Sequence, residues 1–129
     1  MPFSGKYVLE SQENYKEFLE AIGVSKVEVA NEDMVTDIYQ GAYYSITKYM
    51  GGDSVTHTFM LNREAELEDL DGTTFTTTVR LEGGKIKIQF PKYVYTAEVS
   101  GDKLTEVSMH CNFFFTIKNK TKKNQRPVD

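Results

Sequence analysis

Alternation of apolar and polar residues, broken every eight to twelve positions by a glycine-bearing pair, limits what this chain can become more than any other feature. The clearest runs are Tyr43 to Met50, Ser54 to Leu61, Thr73 to Leu81, Lys85 to Phe90, Tyr93 to Val99, Lys103 to Met109 and Asn112 to Lys118. Gly51-Gly52-Asp53, Asp71-Gly72, Gly83-Gly84 and Gly101-Asp102 separate them, all residues that tolerate positive φ. Period two puts successive side chains on opposite faces, so the pattern predicts an all-β antiparallel sheet of sequential hairpins. A sheet this long in 129 residues must close into a barrel or split into two packed layers, because open edges invite pairing with other chains. Closure around a cavity would suit a carrier of something apolar.

One segment breaks the period. Lys6 to Leu9 reads as a first strand, after which Asn14 is placed to cap a helix, with Glu17 at the capping-box position. Tyr15, Phe18, Leu19 and Ile22 follow as one apolar stripe, and Gly23 ends it. Val24 to Asp33 admits a second short helix, weakened by valines at 24, 27 and 29. A helix inserted after the first strand of a meander belongs on the rim, as a lid with its stripe toward the opening. Pro91 is expected at a bend between strands.

Strand alternation also sorts side chains by face. In the last run Phe113, Phe115 and Ile117 share one face and Phe114, Thr116 and Lys118 the other, the first being more apolar. Tyr93, Tyr95, Ala97 and Val99 form another same-side row. For Tyr44, Ile46, Lys48 and Met50 against Ser45, Thr47 and Tyr49, the inward face stays open. Eight tyrosines and eight phenylalanines offer rings edged with hydroxyls, a lining for an amphipathic ligand or, alternatively, the filling of a sandwich core.

A formal charge of -4 disfavours nucleic acid as a partner, since phosphates call for a concentrated positive surface. The basic stretch from Lys118 to Arg126 reads as a solvated terminus rather than a phosphate or membrane patch. The length fits a single domain over residues 1–129. Cys111 stands alone, and without a signal peptide or long apolar stretch the expected setting is a reducing compartment, the cytoplasm. No catalytic or metal constellation stands out: His57 and His110 lie in different strands, and Cys111 should face away from His110. Glu64, Glu66, Glu68 and Asp69 read as a solvated strand edge rather than a cation site, and the glycine pairs lack the strand-to-helix setting of a phosphate loop.

The opening Phe3-Ser-Gly-Lys-Tyr-Val-Leu-Glu-Ser-Gln-Glu-Asn-Tyr-Lys-Glu-Phe-Leu-Glu-Ala-Ile-Gly closely resembles the start of the intracellular lipid-binding proteins, the group of fatty-acid-binding, retinoid-binding and ileal bile-acid-binding proteins. Thr58-Phe-Met-Leu, Thr73-Thr-Phe-Thr-Thr-Thr-Val-Arg-Leu-Glu-Gly-Gly-Lys and Gly101-Asp-Lys-Leu-Thr-Glu-Val-Ser extend the likeness along nearly the whole chain, nearest the liver and ileal branch. That resemblance implies a lipocalin-like, ten-stranded antiparallel up-and-down β-barrel, flattened like a clam, with two helices closing a portal. It implies a monomer that binds a fatty acid or bile acid reversibly, with no cofactor, no metal and no chemistry, and with its helical lid as a candidate for transient contact with a membrane surface. By the same analogy Phe18, Met50, Phe59, Leu61, Leu70, Leu81, Phe90, Tyr93, Tyr95, Phe113, Phe115 and Ile117 are expected to supply much of the cavity wall.

The chain also departs from the pattern. Many relatives hold the ligand carboxylate with an arginine and a tyrosine two residues apart in the last strand, where an ungapped match puts Ile117 and Asn119. Val24 to Asp37 is a few residues short, and Cys111-Asn112 replace a glycine-containing turn. Without the arginine, a fatty-acid head is expected near the portal beside Lys16, Lys26 or Lys48, whereas a bile acid could set its hydroxyls against Tyr, Thr and Gln side chains with its carboxylate near solvent. The rival class is a structural or protein-interaction module that keeps the barrel without cargo.

Overall fold

The structure, a computed structural model, describes residues 3–23, 34–50, 52–110 and 113–121. The chain runs through β1 (Gly5–Glu13), α1 (Tyr15–Ile22), β2 (Val35–Gln40), β3 (Tyr44–Met50), β4 (Asp53–Phe59), β5 (Glu64–Glu68), β6 (Thr74–Thr78), β7 (Arg80–Glu82), β8 (Lys85–Gln89), β9 (Val94–Ser100), β10 (Lys103–His110) and β11 (Phe113–Thr121). Every ladder is antiparallel and sequential, and β1 pairs with β11, so first and last strands join the two ends of the meander. Taking Thr74 to Glu82 as one strand interrupted at Val79 gives the ten strands expected. The interruption has a cause: the Val79 carbonyl accepts a hydrogen bond from the Asn62 N–H at 2.8 Å, just where the chain leaves β5 and begins pairing with β8.

The shell is a curled sheet around a void, not two layers packed on a filled core. Backbone pairing does not run all the way round it: among the described residues β4 and β5 share no ladder. A side chain spans part of that gap, where His57 donates from Nε2 to the Glu68 carbonyl oxygen at 2.8 Å. Two segments escaped the sequence pattern. In β2, Thr36 and Ile38 face inward, and in β5, Ala65 and Leu67 turn toward the core, so Glu64 and Glu66 of the acidic run stand on the solvated face of a strand, whereas Glu68 and Asp69 border the cavity.

Glycines set the hairpins where the geometry demands them. Gly83 and Gly84 have φ of 61° and 80° in the two-residue loop joining Glu82 to Lys85, a conformation in which any Cβ would be strained. Gly23, at φ 83°, ends α1 as its sequence position indicates. The capping box does not form. Asn14 is itself left-handed at φ 66°, caps nothing with its side chain, and instead donates from Nδ2 to the Phe114 carbonyl at 3.5 Å. Tertiary docking replaces the cap: Phe18 is buried, with its ring 4.9 Å from Phe115 and 5.4 Å from Tyr93, and the Lys92 ammonium donates to the Ile22 carbonyl at 3.1 Å, where the helix end is electronegative. The possible second helix over Val24 to Asp33 and the Cys111-Asn112 turn lie outside the described residues. No helix among the described residues is long and apolar enough to cross a membrane.

Candidate functional site

Alternation settles which side chains meet inside the shell. On β3, Tyr44, Ile46 and Lys48 turn inward and Tyr49 outward. Inward on β11 are Phe115, Ile117 and Asn119, and so is the row of Tyr93, just before β9, with Tyr95, Ala97 and Val99 on it. These faces enclose a cavity of about 410 Å³, within the size range of small-molecule sites.

Of the residues expected in the wall, Leu70, Phe90, Tyr93, Tyr95, Phe115 and Ile117 line this cavity. Phe18 sits behind it, holding Tyr93 and Phe115 from the helix side. Phe59 is buried but stacked on Tyr44 with ring centres 5.5 Å apart, and Leu61 packs on the core; neither reaches the cavity. Leu81 is a correction: it is 42% exposed, because β7 ends the nine-stranded sheet and no strand among the described residues pairs with its free flank. The side chains of Met50 and Phe113 lie outside those described.

At one side of the cavity lies a buried polar cluster that the sequence did not reveal. Glu106, only 2% exposed, comes inward from β10 and accepts at Oε1 from the Lys48 ammonium, 2.7 Å away, and from Asn119 Nδ2 at 3.2 Å. Its Oε2 accepts from the Tyr95 hydroxyl. Lys48 also donates to Thr36 Oγ1 at 3.0 Å, and Asn119 Nδ2 to the Leu104 carbonyl at 3.1 Å. Asn119 Oδ1, fully buried, has no hydrogen-bond partner. Lys48 is therefore a correction as well. It was expected beside the portal as a head-group cation, yet its charge is drawn inside and paired with Glu106. Lys16 is exposed on α1, and Lys26 lies outside the described residues. The signal for the cluster was present only as a charged residue alternating with Leu104 and Ser108 in β10.

Burial, and then the neighbouring Glu106 carboxylate to which it donates, hold the Tyr95 phenol well above its usual range. The sign of the pH dependence follows. An unfolded chain releases this proton near the ordinary value of 10.0 while the folded one keeps it, so the contribution is complete below about pH 10 and is lost as pH rises. Urea midpoints measured between about pH 8 and about pH 11 should fall less steeply for Tyr95→Phe than for the wild type. Parallel slopes would show that Tyr95 does not carry the effect. Burial raises Tyr7 too, which accounts for a residual slope in the variant.

Comparison with known proteins agrees with this geometry. A model of the lipocalin and cytosolic fatty-acid-binding protein family matches residues 1–122. Mouse gastrotropin is 38% identical over 113 residues, covering 84% of this chain and 88% of that protein. The liver fatty acid-binding protein of Schroederichthys bivius is 34% identical over 110 residues, covering 82% and 87%. Among solved structures, the zebrafish ileal bile acid-binding protein complexed with cholic acid superposes with a TM-score of 0.77 at 33% identity, covering 94% of this chain and 99% of that one.

Proposed function

The chain belongs to the lipocalin and cytosolic fatty-acid-binding protein family, and from that membership we propose that it binds one small amphipathic lipid class reversibly and carries it through the cytoplasm as a single-domain monomer. Binding here involves no bond making or breaking. The observation that supports this most is the cavity of about 410 Å³, whose lining combines aromatic and aliphatic side chains with the Lys48–Glu106 ion pair and, elsewhere on the wall, Asp53, His57, Glu68 and Asp69. Unloading and loading take place where α1 covers the shell, and the exposed Lys16 of that helix offers a first contact to an anionic membrane surface.

Between a fatty acid and a bile acid, the interior favours the bile acid. A carboxylate brought to the cluster meets Glu106, whose charge already neutralises Lys48, and an uncompensated buried charge is costly. A hydroxylated steroid can hydrogen-bond there and leave its carboxylate near solvent, which accords with the cholic acid held by the zebrafish relative. The cargo-free module is the weaker reading, because Phe115 borders the cavity without filling it.

Calorimetric titration of delipidated protein with glycocholate and with oleate, followed by proton-nitrogen NMR, tests the assignment. Saturable binding with shifts confined to α1 and inward positions is expected; no saturable binding of either would leave the cargo-free module. Phe115→Ala should weaken binding about tenfold or more, since it removes ring contact from the wall, whereas Phe114→Ala, on the outer face, should change it by less than about threefold. Equal losses would mean that the lipid is held elsewhere.

A further inference from the structure

The cluster around Glu106 holds one cation and one anion, both committed to each other before any ligand arrives. Lys48 lines the cavity with two of its three N–H donors engaged, by Glu106 and Thr36. Glu106 takes hydrogen bonds from Lys48, Asn119 and Tyr95, and beside it the Asn119 carbonyl oxygen is buried without a donor. The third Lys48 N–H is the donor left for a ligand, whereas Asn119 is fully buried and takes no part in the lining of the cavity. A hydroxyl can accept from that N–H without bringing a charge, while a carboxylate placed there carries a charge that Glu106 repels.

We infer that Glu106 is the specificity-determining residue of the cavity: as the internal counter-anion of Lys48 it makes the interior take the neutral, hydroxyl-bearing end of an amphiphile and keeps a carboxylate at the opening. This rests on the lipid-carrier reading and adds to it the residue that sets ligand polarity. It follows that the family's usual carboxylate clamp is lost here for two reasons. An ungapped match puts Ile117 and Asn119 where many relatives have arginine and tyrosine, and Lys48, the lysine among the described lining residues, is internally neutralised. Removing only the Glu106 charge should expose Lys48 as a clamp for an anionic head.

The test compares oleate with oleyl alcohol, which share a chain and differ at the head, on delipidated wild type, Glu106→Gln and the doubly uncharged Lys48→Met/Glu106→Met. Affinities come from calorimetry, and carbon-13 at the oleate carboxyl reports by its pH titration whether the head is in water. In the wild type the bound carboxyl should titrate as a solvated acid. In Glu106→Gln the ratio of affinities should move toward oleate by about tenfold or more, the strength of one charge-assisted hydrogen bond, and the carboxyl should cease to titrate. The double variant keeps the test independent of the stability of Glu106→Gln: it should lose about tenfold for oleyl alcohol while oleate changes by less than about threefold. A wild-type carboxyl that already fails to titrate, an unchanged ratio in a folded Glu106→Gln, or equal changes for both ligands in the double variant would overturn the assignment of Glu106 and leave the carrier function standing. Failure of the wild type to bind oleate, oleyl alcohol and glycocholate alike would overturn both.

Discussion

Replacing Lys48 by methionine is expected to destabilise the folded chain by about 3 kcal/mol, the lower end of the range for stripping one partner from a buried ion pair. The lower end applies because the Lys48 side chain is 22% exposed where it borders the cavity, so water already moderates its charge, while Glu106 is almost fully enclosed. Without Lys48 the Glu106 carboxylate keeps hydrogen bonds from Tyr95 and Asn119, neither of which carries a compensating charge. Lys48→Met/Glu106→Met should recover most of the loss, since a buried pair replaced by apolar residues of similar volume is often neutral. Recovery stays incomplete because the Tyr95 hydroxyl then lacks its acceptor. Urea unfolding of the four corners of this cycle measures the coupling; additive losses would show that the two charges do not depend on each other.

The second large effect is expected at the helix. Phe18→Ala should cost about 3–5 kcal/mol, the usual range for deleting a buried phenyl ring. Phe18 is 1% exposed and touches both Phe115 and Tyr93, so its loss opens a void between lid and wall that neither ring can fill without leaving the cavity surface. With eight residues and no side-chain N-cap, α1 has little stability of its own. Amide exchange should therefore accelerate throughout Tyr15–Ile22 and less in β10. A cost below about 1 kcal/mol would show that the helix is held by something other than this contact.

Those two sites also mark what could be read from the sequence. The helix could be read, from the spacing of Phe18, Leu19 and Ile22 before Gly23, because its partner is an apolar wall and burial follows hydrophobicity. Its start could not, since Asn14 gains a tertiary contact to Phe114 in place of the local cap that its residue type suggests. The same division holds for the strands. In β11 the more apolar face, Phe115 and Ile117, turns inward as expected. In β10 the rule inverts: Leu104, Glu106 and Ser108 face in, while Met109 faces out and is half exposed. An interior that contains a polar cluster accepts a carboxylate, and alternation alone cannot distinguish that from a solvated face. β5 was masked similarly, with only Ala65 and Leu67 between glutamates to betray its inner side.

The pairing of β1 with β11 gives the molecule a mechanical character. Tyr7 lies opposite Thr121 and Glu13 opposite Thr116, so the outer ends of both strands emerge at the same end of one ladder. Tension applied between those ends loads the rungs in sequence, as a zipper is opened, not all together as in shear. Rupture should begin at Tyr7 and Thr121, advance to the register shift between Leu9 and Ser11, and require little force at any instant. A shell whose resistance to heat or denaturant is shared among many strands would thus yield readily to a pull, parting along the seam that joins its beginning to its end.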